Sequence, residues 1–210
     1  MPGITREELR RLDTRLRGSL DATFEQARER AREYLVCRPG CTECCIGPFG
    51  ITILDAWRLQ EGWRELRSCD PGRAQAVLQR ARSQAERFAP TLPGIEGAAV
   101  GADKCGECFF ERWAEVPCPA LDPASGTCDL YAHRPVSCRN FGPPVRIGAE
   151  NLPPCRLCFV GAPADKIERS RVEPDRDGLE GALVSALAED ARAGQQDGDE
   201  TLVAFALVQS

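Results

Sequence analysis

The chain has 210 residues, of which 42% are hydrophobic, and a net charge of -5. This length allows one domain with a substantial core, so cross-links are not needed merely for folding. The acidic balance argues against nucleic acid or an anionic membrane as the main partner, and no apolar stretch approaches transmembrane length. The 12 cysteines are therefore an excess that needs its own explanation.

The amino-terminal segment predicts a long amphipathic helix. Thr5 and Glu8 fit a capping box, and apolar residues recur at steps of three and four as far as Leu35, which gives a stripe of about nine turns. The run Arg38-Pro39-Gly40 stops this helix, which we assign to residues 1–36. The first ten residues are charged and contain no apolar h-region, so we expect a cytoplasmic protein whose thiols stay reduced.

A short strand and two helices are predicted next. Apolar residues alternate with small or polar ones from 49 to 53, which indicates a strand, and a helix follows from about Asp55. The pair Asp70-Pro71 supplies an N-cap and a first-turn proline for the second helix, which Pro90 and Pro93 end.

The segment from Gly94 to Pro163 is rich in glycine, proline and cysteine and lacks periodicity, so we expect metal cross-links to supply its order. Within it, Val145-Arg146-Ile147 predicts a short strand. A last helix is predicted from about Asp177 to Ala193. The almost wholly apolar run from Thr201 to Val208 is interpreted as a buried strand.

The predicted fold class is mainly α with short strands. We expect an irregular, metal-stabilised α+β single domain over residues 1–210, with a long N-terminal amphipathic helix. Its predicted parts are that helix at 1–36, a cysteine-cluster core at 37–163, and a C-terminal helix and strand at 164–210.

Four cysteines lie within nine residues, in the pattern C-x3-C-x2-C-C. Thiolates are soft ligands, and the glycine and proline between them let the backbone curl so that sulfur atoms face a common centre. The chain has one histidine, so binding relies on sulfur, which indicates zinc or an iron–sulfur cluster. Clustered cysteines in a reducing compartment bind metal more often than they form disulfides.

Three further cysteines complete a resemblance to a known family. Cys118 begins C-P-x-L-D, Cys128 lies in G-x-C-x-L-Y, and Cys138 lies in R-P-x-x-C-R-x-F. Together with the first run, these motifs resemble the YkgJ-type cysteine-cluster family, which is described as zinc- or iron-chelating. The resemblance covers Cys37 to Phe141. It implies metal binding and leaves the metal and any activity open.

The remaining cysteines include two C-x2-C pairs, which are common ingredients of a four-thiolate zinc site. Alternatively, one cysteine from these pairs completes the main cluster. Cys69 stands alone at a helix end and is interpreted as a buried or free thiol. The predicted metal ligands are Cys37, Cys41, Cys44, Cys45, Cys105, Cys108, Cys118, Cys128, Cys138, Cys155 and Cys158.

This number of cysteines exceeds what one tetrahedral ion needs, so we expect two sites or one multinuclear centre. Cys44 and Cys45 are adjacent, and we expect their side chains to diverge, either serving two ions or leaving one spare. Arg139 is expected to donate hydrogen bonds to thiolates or a sulfide. His133 is a minor candidate ligand.

The leading hypothesis is a metal-binding protein, with two alternatives. One is an iron–sulfur-dependent, protein-modifying enzyme, because flagellin lysine methylases carry a similar cysteine run; however, no glycine-rich nucleotide loop follows a strand. Cys37, Cys41 and Cys44 also match the radical S-adenosylmethionine pattern, but the alternating strands and helices of a barrel are missing. The other alternative is a zinc-stabilised interaction module.

Overall fold

The structure is a computed structural model that describes residues 4–92, 106–193 and 200–209. Helices dominate these ranges, and the strands form short antiparallel pairs. The predicted fold class, mainly α with short strands and a long N-terminal helix, is confirmed. None of the described helices is both long and apolar enough to cross a bilayer.

Contacts divide the chain into two units, each assembled from two separate stretches. The first unit comprises Met1–Pro39 and Val136–Asp199, and the second comprises Gly40–Pro135 and Glu200–Ser210. The unit boundaries differ from the subdivision at 36 and 163 that the sequence suggests. The single-domain organisation of residues 1–210 stays a prediction.

The first unit is organised around α1, Arg6–Ala31. Thr5 caps it as predicted, because its hydroxyl accepts a hydrogen bond from the Glu8 N–H at 3.2 Å. The buried side chains of α1 recur with the helical period, and α1 packs against three later helices of the same unit, Val136–Asn140, Ala164–Arg169 and Leu179–Ala193. The helix is shorter than expected: Arg32 adopts φ 53°, and a 3-10 turn, Arg32–Tyr34, follows.

Short elements make up the rest of the first unit. The strand predicted at 145–147 is present and pairs antiparallel with its neighbour, with Arg146 opposite Asn151. The last helix begins slightly later than predicted, because the Asp175 carboxylate accepts hydrogen bonds from the N–H groups of Leu179 and Glu180, both at 2.9 Å. The elements are α5 Val136–Asn140, β4 Val145–Ile147, β5 Glu150–Leu152, α6 Ala164–Arg169 and α7 Leu179–Ala193.

Three helices that pack on one another form the core of the second unit. Asp70 caps the second of them as predicted, accepting a hydrogen bond from the Arg73 N–H at 3.1 Å. The three core helices are α2 Ile53–Cys69, α3 Pro71–Phe88 and α8 Val203–Val208; the other elements are α4 Gly106–Arg112, β1 Gly50–Thr52, β2 Leu121–Asp122, β3 Thr127–Cys128 and β6 Glu200–Leu202. β1 pairs with β6 and β2 with β3, both antiparallel.

The strand prediction for Thr201–Val208 is wrong over most of its length. Only its first two residues lie in a strand, and Val203–Val208 forms α8. This helix is buried against both α2 and α3, and Ala206 and Leu207 are 0% exposed. A segment that is buried on several sides is apolar throughout, so its sequence carries neither the helical nor the strand period.

Candidate metal centre

The cysteines of the described residues divide between the two units. The C-x3-C-x2-C-C run crosses the unit boundary between Pro39 and Gly40, so Cys37 belongs to one unit and the other three cysteines to the other. Cys105 lies outside the described residues. The first unit contains Cys37, Cys138, Cys155 and Cys158, and the second contains Cys41, Cys44, Cys45, Cys69, Cys108, Cys118 and Cys128.

In the second unit, two thiols come from one tight turn. Cys44 and Cys45 lie in a 3-10 turn, Glu43–Cys45, in which the Cys45 N–H donates to the Thr42 carbonyl at 2.8 Å. Their Sγ atoms are 3.9 Å apart. The expectation that these side chains diverge is therefore wrong. Successive residues of a 3-10 turn are separated by about 120° around its axis rather than by the half-turn of an extended strand.

Two more thiols come from the hairpin of β2 and β3. Cys128 lies in β3 opposite Leu121, and Cys118 lies just before β2. Backbone hydrogen bonds join this hairpin to the turn: the Cys118 N–H donates to the Cys45 carbonyl at 2.7 Å, and the Gly47 N–H donates to the Val116 carbonyl at 2.8 Å. Main-chain hydrogen bonds thus hold the two cysteine-bearing segments together.

These four thiols influence one another electrostatically. Burial raises the pKa of Cys118 to about 12 and that of Cys128 to about 11. Cys44 and Cys45 share a hydrogen bond in which either thiol can be the donor, and this bond lowers the pKa of Cys44 to about 7 and raises the pKa of Cys45. Negative charge on Cys118 or Cys128 raises the Cys45 pKa further. We call Cys44, Cys45, Cys118 and Cys128 the four-cysteine cluster.

Backbone hydrogen-bond donors and one cation lower the pKa values of the cluster's thiols, whereas burial raises them. Backbone N–H groups of Ala120 and Leu121 favour the Cys118 thiolate, although burial outweighs them in the pKa. The positive charge of the Arg134 guanidinium lowers the pKa of both Cys44 and Cys128, although other causes have larger effects on these pKa values. Arg134 also lies 3.9 Å from the centroid of the Tyr131 ring.

Arg134 is a charge partner of Cys44 and Cys128 that the sequence motifs did not predict. The sequence feature that could have indicated this role is the position of Arg134 at the start of R-P-x-x-C, six residues after Cys128. Arg139, for which that role was predicted, lies in the first unit with only 3% of its side chain exposed. Its guanidinium binds both carboxylate oxygens of Asp21 on α1, at 2.7 and 2.9 Å. The hydrogen bonds predicted from Arg139 to thiolates stay a prediction.

Three other candidates lie at helix surfaces of the second unit. Cys69 is exposed at the end of α2, and Cys108 is exposed on α4. Because its partner Cys105 is outside the described residues, the first C-x2-C pair is not placed as a pair. His133 Nε2 lies 2.9 Å from the Glu65 carboxylate, so the only histidine contacts a carboxylate of α2.

The cysteines of the first unit include a second close pair. Cys37 Sγ lies 3.9 Å from Cys158 Sγ, and Cys155 packs on the same apolar cluster as both. Cys138 lies on α5. Cys41, in the second unit, follows Gly40, whose backbone adjoins the β2–β3 turn at Gly126.

The sulfur spacing of the close pairs fits a shared ion. Two ligands of a tetrahedral ion with Zn–S bonds of about 2.3 Å are about 3.8 Å apart, and both pairs measure 3.9 Å. Within the described ranges, however, no three Cys, His, Asp or Glu side chains are already arranged to hold an ion. The remaining thiols would have to move toward each pair.

No family model, curated protein or solved structure matches the chain. Membership of the YkgJ-type family, suggested by the motifs, stays a prediction.

Proposed function

We propose that the protein binds a metal ion through the thiolates of the four-cysteine cluster. The observation that carries this proposal is the 3.9 Å contact between the sulfur atoms of Cys44 and Cys45, on a turn that is hydrogen-bonded to the segment bearing Cys118. The two hydrogen-bonded segments carry four thiols in all, which equals the ligand number of a tetrahedral sulfur site.

The electrostatics of the cluster support the same proposal. Burial favours neutral thiols, yet backbone N–H groups and Arg134 are placed to favour thiolates. Such donors resemble the outer partners that orient and charge-balance metal ligands. A bound divalent cation would invert the effect of burial, because its charge stabilises deprotonated sulfur.

The pair distance favours a single ion, such as zinc, over a [4Fe–4S] cluster, in which each iron takes one thiolate; a [2Fe–2S] cluster, with two thiolates on each iron, has the same sulfur spacing. Any two thiolates that bind one tetrahedral ion are separated by one edge of the tetrahedron, and the distance between the Cys44 and Cys45 sulfur atoms is close to the length of such an edge. Thiolates that bind different irons of a cluster are separated by its inorganic core. An iron–sulfur centre, and with it a protein-modifying enzyme, is the alternative that the experiment below distinguishes.

The proposed role of the ion is a structural cross-link. Four protein thiolates would fill a tetrahedral shell and leave no position for substrate, as in structural rather than catalytic zinc sites. The ion would join the Glu43–Cys45 turn to the β2–β3 hairpin, where strands are only two residues long. We propose a cytoplasmic setting, because thiolate ligands require reducing conditions.

Anaerobic purification followed by metal and sulfide analysis tests the proposal. We expect a colourless protein with stoichiometric zinc, which Cys118→Ser reduces and the exposed-site control Cys69→Ser leaves unchanged. A brown protein with iron and sulfide in near-equal amounts would replace the zinc assignment by an iron–sulfur one. A wild-type protein that retains no metal and takes up neither zinc nor iron would refute metal binding altogether.

A further inference from the structure

The first unit brings together two stretches of chain that both carry cysteines. The Phe159 N–H donates to the Tyr34 carbonyl at 2.7 Å, and the two rings stack with centroids 6.4 Å apart. Cys37 and Cys158, which are 121 positions apart in the sequence, consequently place their sulfur atoms 3.9 Å from each other. A contact of this length between residues so distant in sequence depends on tertiary packing.

The second C-x2-C pair forms a fixed turn. The Cys158 N–H donates to the Cys155 carbonyl at 2.8 Å, and the Cys155 N–H donates to the Gly142 carbonyl at 3.0 Å. Phe159, directly after the turn, adopts φ 58° although it is bulky and only 5% exposed. A left-handed conformation is costly for such a residue and persists only where its surroundings impose it, which is common beside ligand sites.

Gly142 lies directly against the Cys37 sulfur. Its φ is +128°, and a Cβ atom there would lie 2.8 Å from Cys37 Sγ. The carbonyl of Phe141 is 4.0 Å from the same sulfur. Cys138 lies on α5, which ends at Asn140, so it is carried on the helix directly before the Phe141–Gly142 segment that contacts Cys37.

We infer that the first unit holds a second metal site, in which Cys37, Cys138, Cys155 and Cys158 bind one zinc-type ion. The inference rests on the proposed function, since it extends thiolate metal binding to a second set of ligands. The Cys37–Cys158 spacing equals the edge of a tetrahedral thiolate site. Cys155 and Cys138 supply the remaining two ligands, from the adjoining turn and from α5.

The surroundings of this site suit a structural ion. Cys158 belongs to a cluster of buried apolar side chains and is itself 4% exposed, and the half-buried Cys37 and Cys155 pack against the same cluster. Neutral thiols would be tolerated there, but an uncompensated thiolate would not. An ion that neutralises the thiolates would therefore join α5 and the C-x2-C turn to the chain that follows α1. The apolar cluster consists of Ala27, Ala31, Leu35, Val145, Cys158, Phe159 and Val172.

Metal stoichiometry of the full chain and of ligand variants tests the inference. We expect two equivalents of zinc in the wild type and in Cys69→Ser, and one equivalent in Cys155→Ser, in Cys158→Ser and in Cys138→Ser. Cys118→Ser should also retain one equivalent, the one held by the first unit. After metal removal under reducing conditions, Co²⁺ absorbance should show one thiolate site in each of these ligand variants and two in the wild type.

Gly142→Ala retains every ligand cysteine, so it tests the second site without relying on variants that lose a ligand and could fail to fold. Its Cβ would press on the Cys37 sulfur, so we expect one of the two Co²⁺ sites to weaken about 10- to 100-fold while the other is unchanged.

The outcomes separate this inference from the proposed function. A wild type without metal would overturn both. One equivalent that Cys155→Ser and Cys158→Ser leave intact would overturn the second site alone, as would a Cys37–Cys158 disulfide in the anaerobically purified protein. If Cys155→Ser and Cys118→Ser each lost all metal, the two sites would not be independent, and a single centre that uses cysteines of both sets would be assigned instead.

Discussion

The two units position their cysteines by different means. In the second unit, adjacent residues of one turn supply two thiols, and main-chain hydrogen bonds attach that turn to the segment bearing Cys118. In the first unit, the close pair joins Cys37 to Cys158 across 121 positions, and a glycine and a left-handed Phe159 hold the surrounding backbone. One arrangement is therefore set mainly by local backbone geometry and the other by tertiary packing, so they should respond differently to mutation.

The largest effect should come from removing a ligand of the four-cysteine cluster. We expect Cys128→Ser to lose the ion of the second unit and several kcal/mol of stability, since the binding free energy of a structural ion contributes directly to folding. Thermal unfolding with zinc and with a chelator would measure this. Equal melting of Cys128→Ser and Cys69→Ser in zinc would contradict the structural role of the ion.

A smaller effect is expected at the ion pairs that hold the hairpin against α3. The Asp129 side chain is 3% exposed and binds Arg73 at 2.6 Å and Arg80 at 2.8 Å. We expect Asp129→Asn to cost about 2 to 4 kcal/mol, because it leaves the partly buried Arg80 without its charge partner. Urea denaturation of the zinc-bound protein would measure the change. Arg169→Ala, which removes an exposed pair with Asp165, is the control and should cost less than about 1 kcal/mol.

Two glycines with positive φ provide a graded test of the comparison. Alanine at Gly142, whose φ of +128° lies outside the left-handed helical region, would combine the larger backbone strain with a 2.8 Å contact to Cys37 Sγ, whereas alanine at Gly126, with φ +66°, meets nothing closer than 3.8 Å and adds only the strain of a left-handed residue. We expect losses of about 2 to 4 kcal/mol at Gly142 and about 1 kcal/mol at Gly126. Similar losses in chemical denaturation would show that packing around Cys37 is less tight than the structure indicates.

The smallest effect concerns thiol reactivity in the metal-free protein. The hydrogen bond shared with Cys45 lowers the pKa of Cys44 to about 7, so its thiolate becomes populated as pH rises through 7. We expect iodoacetamide to modify Cys44 a few-fold faster than the exposed Cys69 at pH 7, a modest factor because a thiolate of lower pKa is also less nucleophilic. The rate should fall as pH decreases to 6. Mass spectrometry of peptides would show the order of labelling, and zinc should suppress labelling of Cys44 but not of Cys69.

Local signals in the sequence predicted the helices well where caps and amphipathic periods were present. Thr5 and Asp70 cap the helices that they were expected to cap, and the strand at 145–147 is where alternation placed it. Val203–Val208 was mistaken because a helix buried on several sides has no polar face.

The candidate site was less accessible from the sequence, because its organisation depends on contacts between distant residues. Motif spacing identified the cysteines but not their division between units, although Pro39-Gly40 marks the point at which the chain passes from one unit to the other. The contact of Cys37 with Cys158 has no local signal at all. The charge of Arg134 was visible, but its proximity to Cys44 depends on the path of the hairpin and the following turn.

The arrangement of the second unit along the chain has a consequence for its synthesis. α8 packs against both α2 and α3, yet a ribosome reaches it only after making the whole stretch from 136 to 199. At 5–20 residues per second, this interval lasts roughly 3 to 13 s. During that time the apolar surfaces of α2 and α3 that α8 will cover remain uncovered, while the cysteines from 41 to 128 have already been synthesised. The nascent chain therefore exposes apolar surface and reactive sulfur together before the core of the second unit can close.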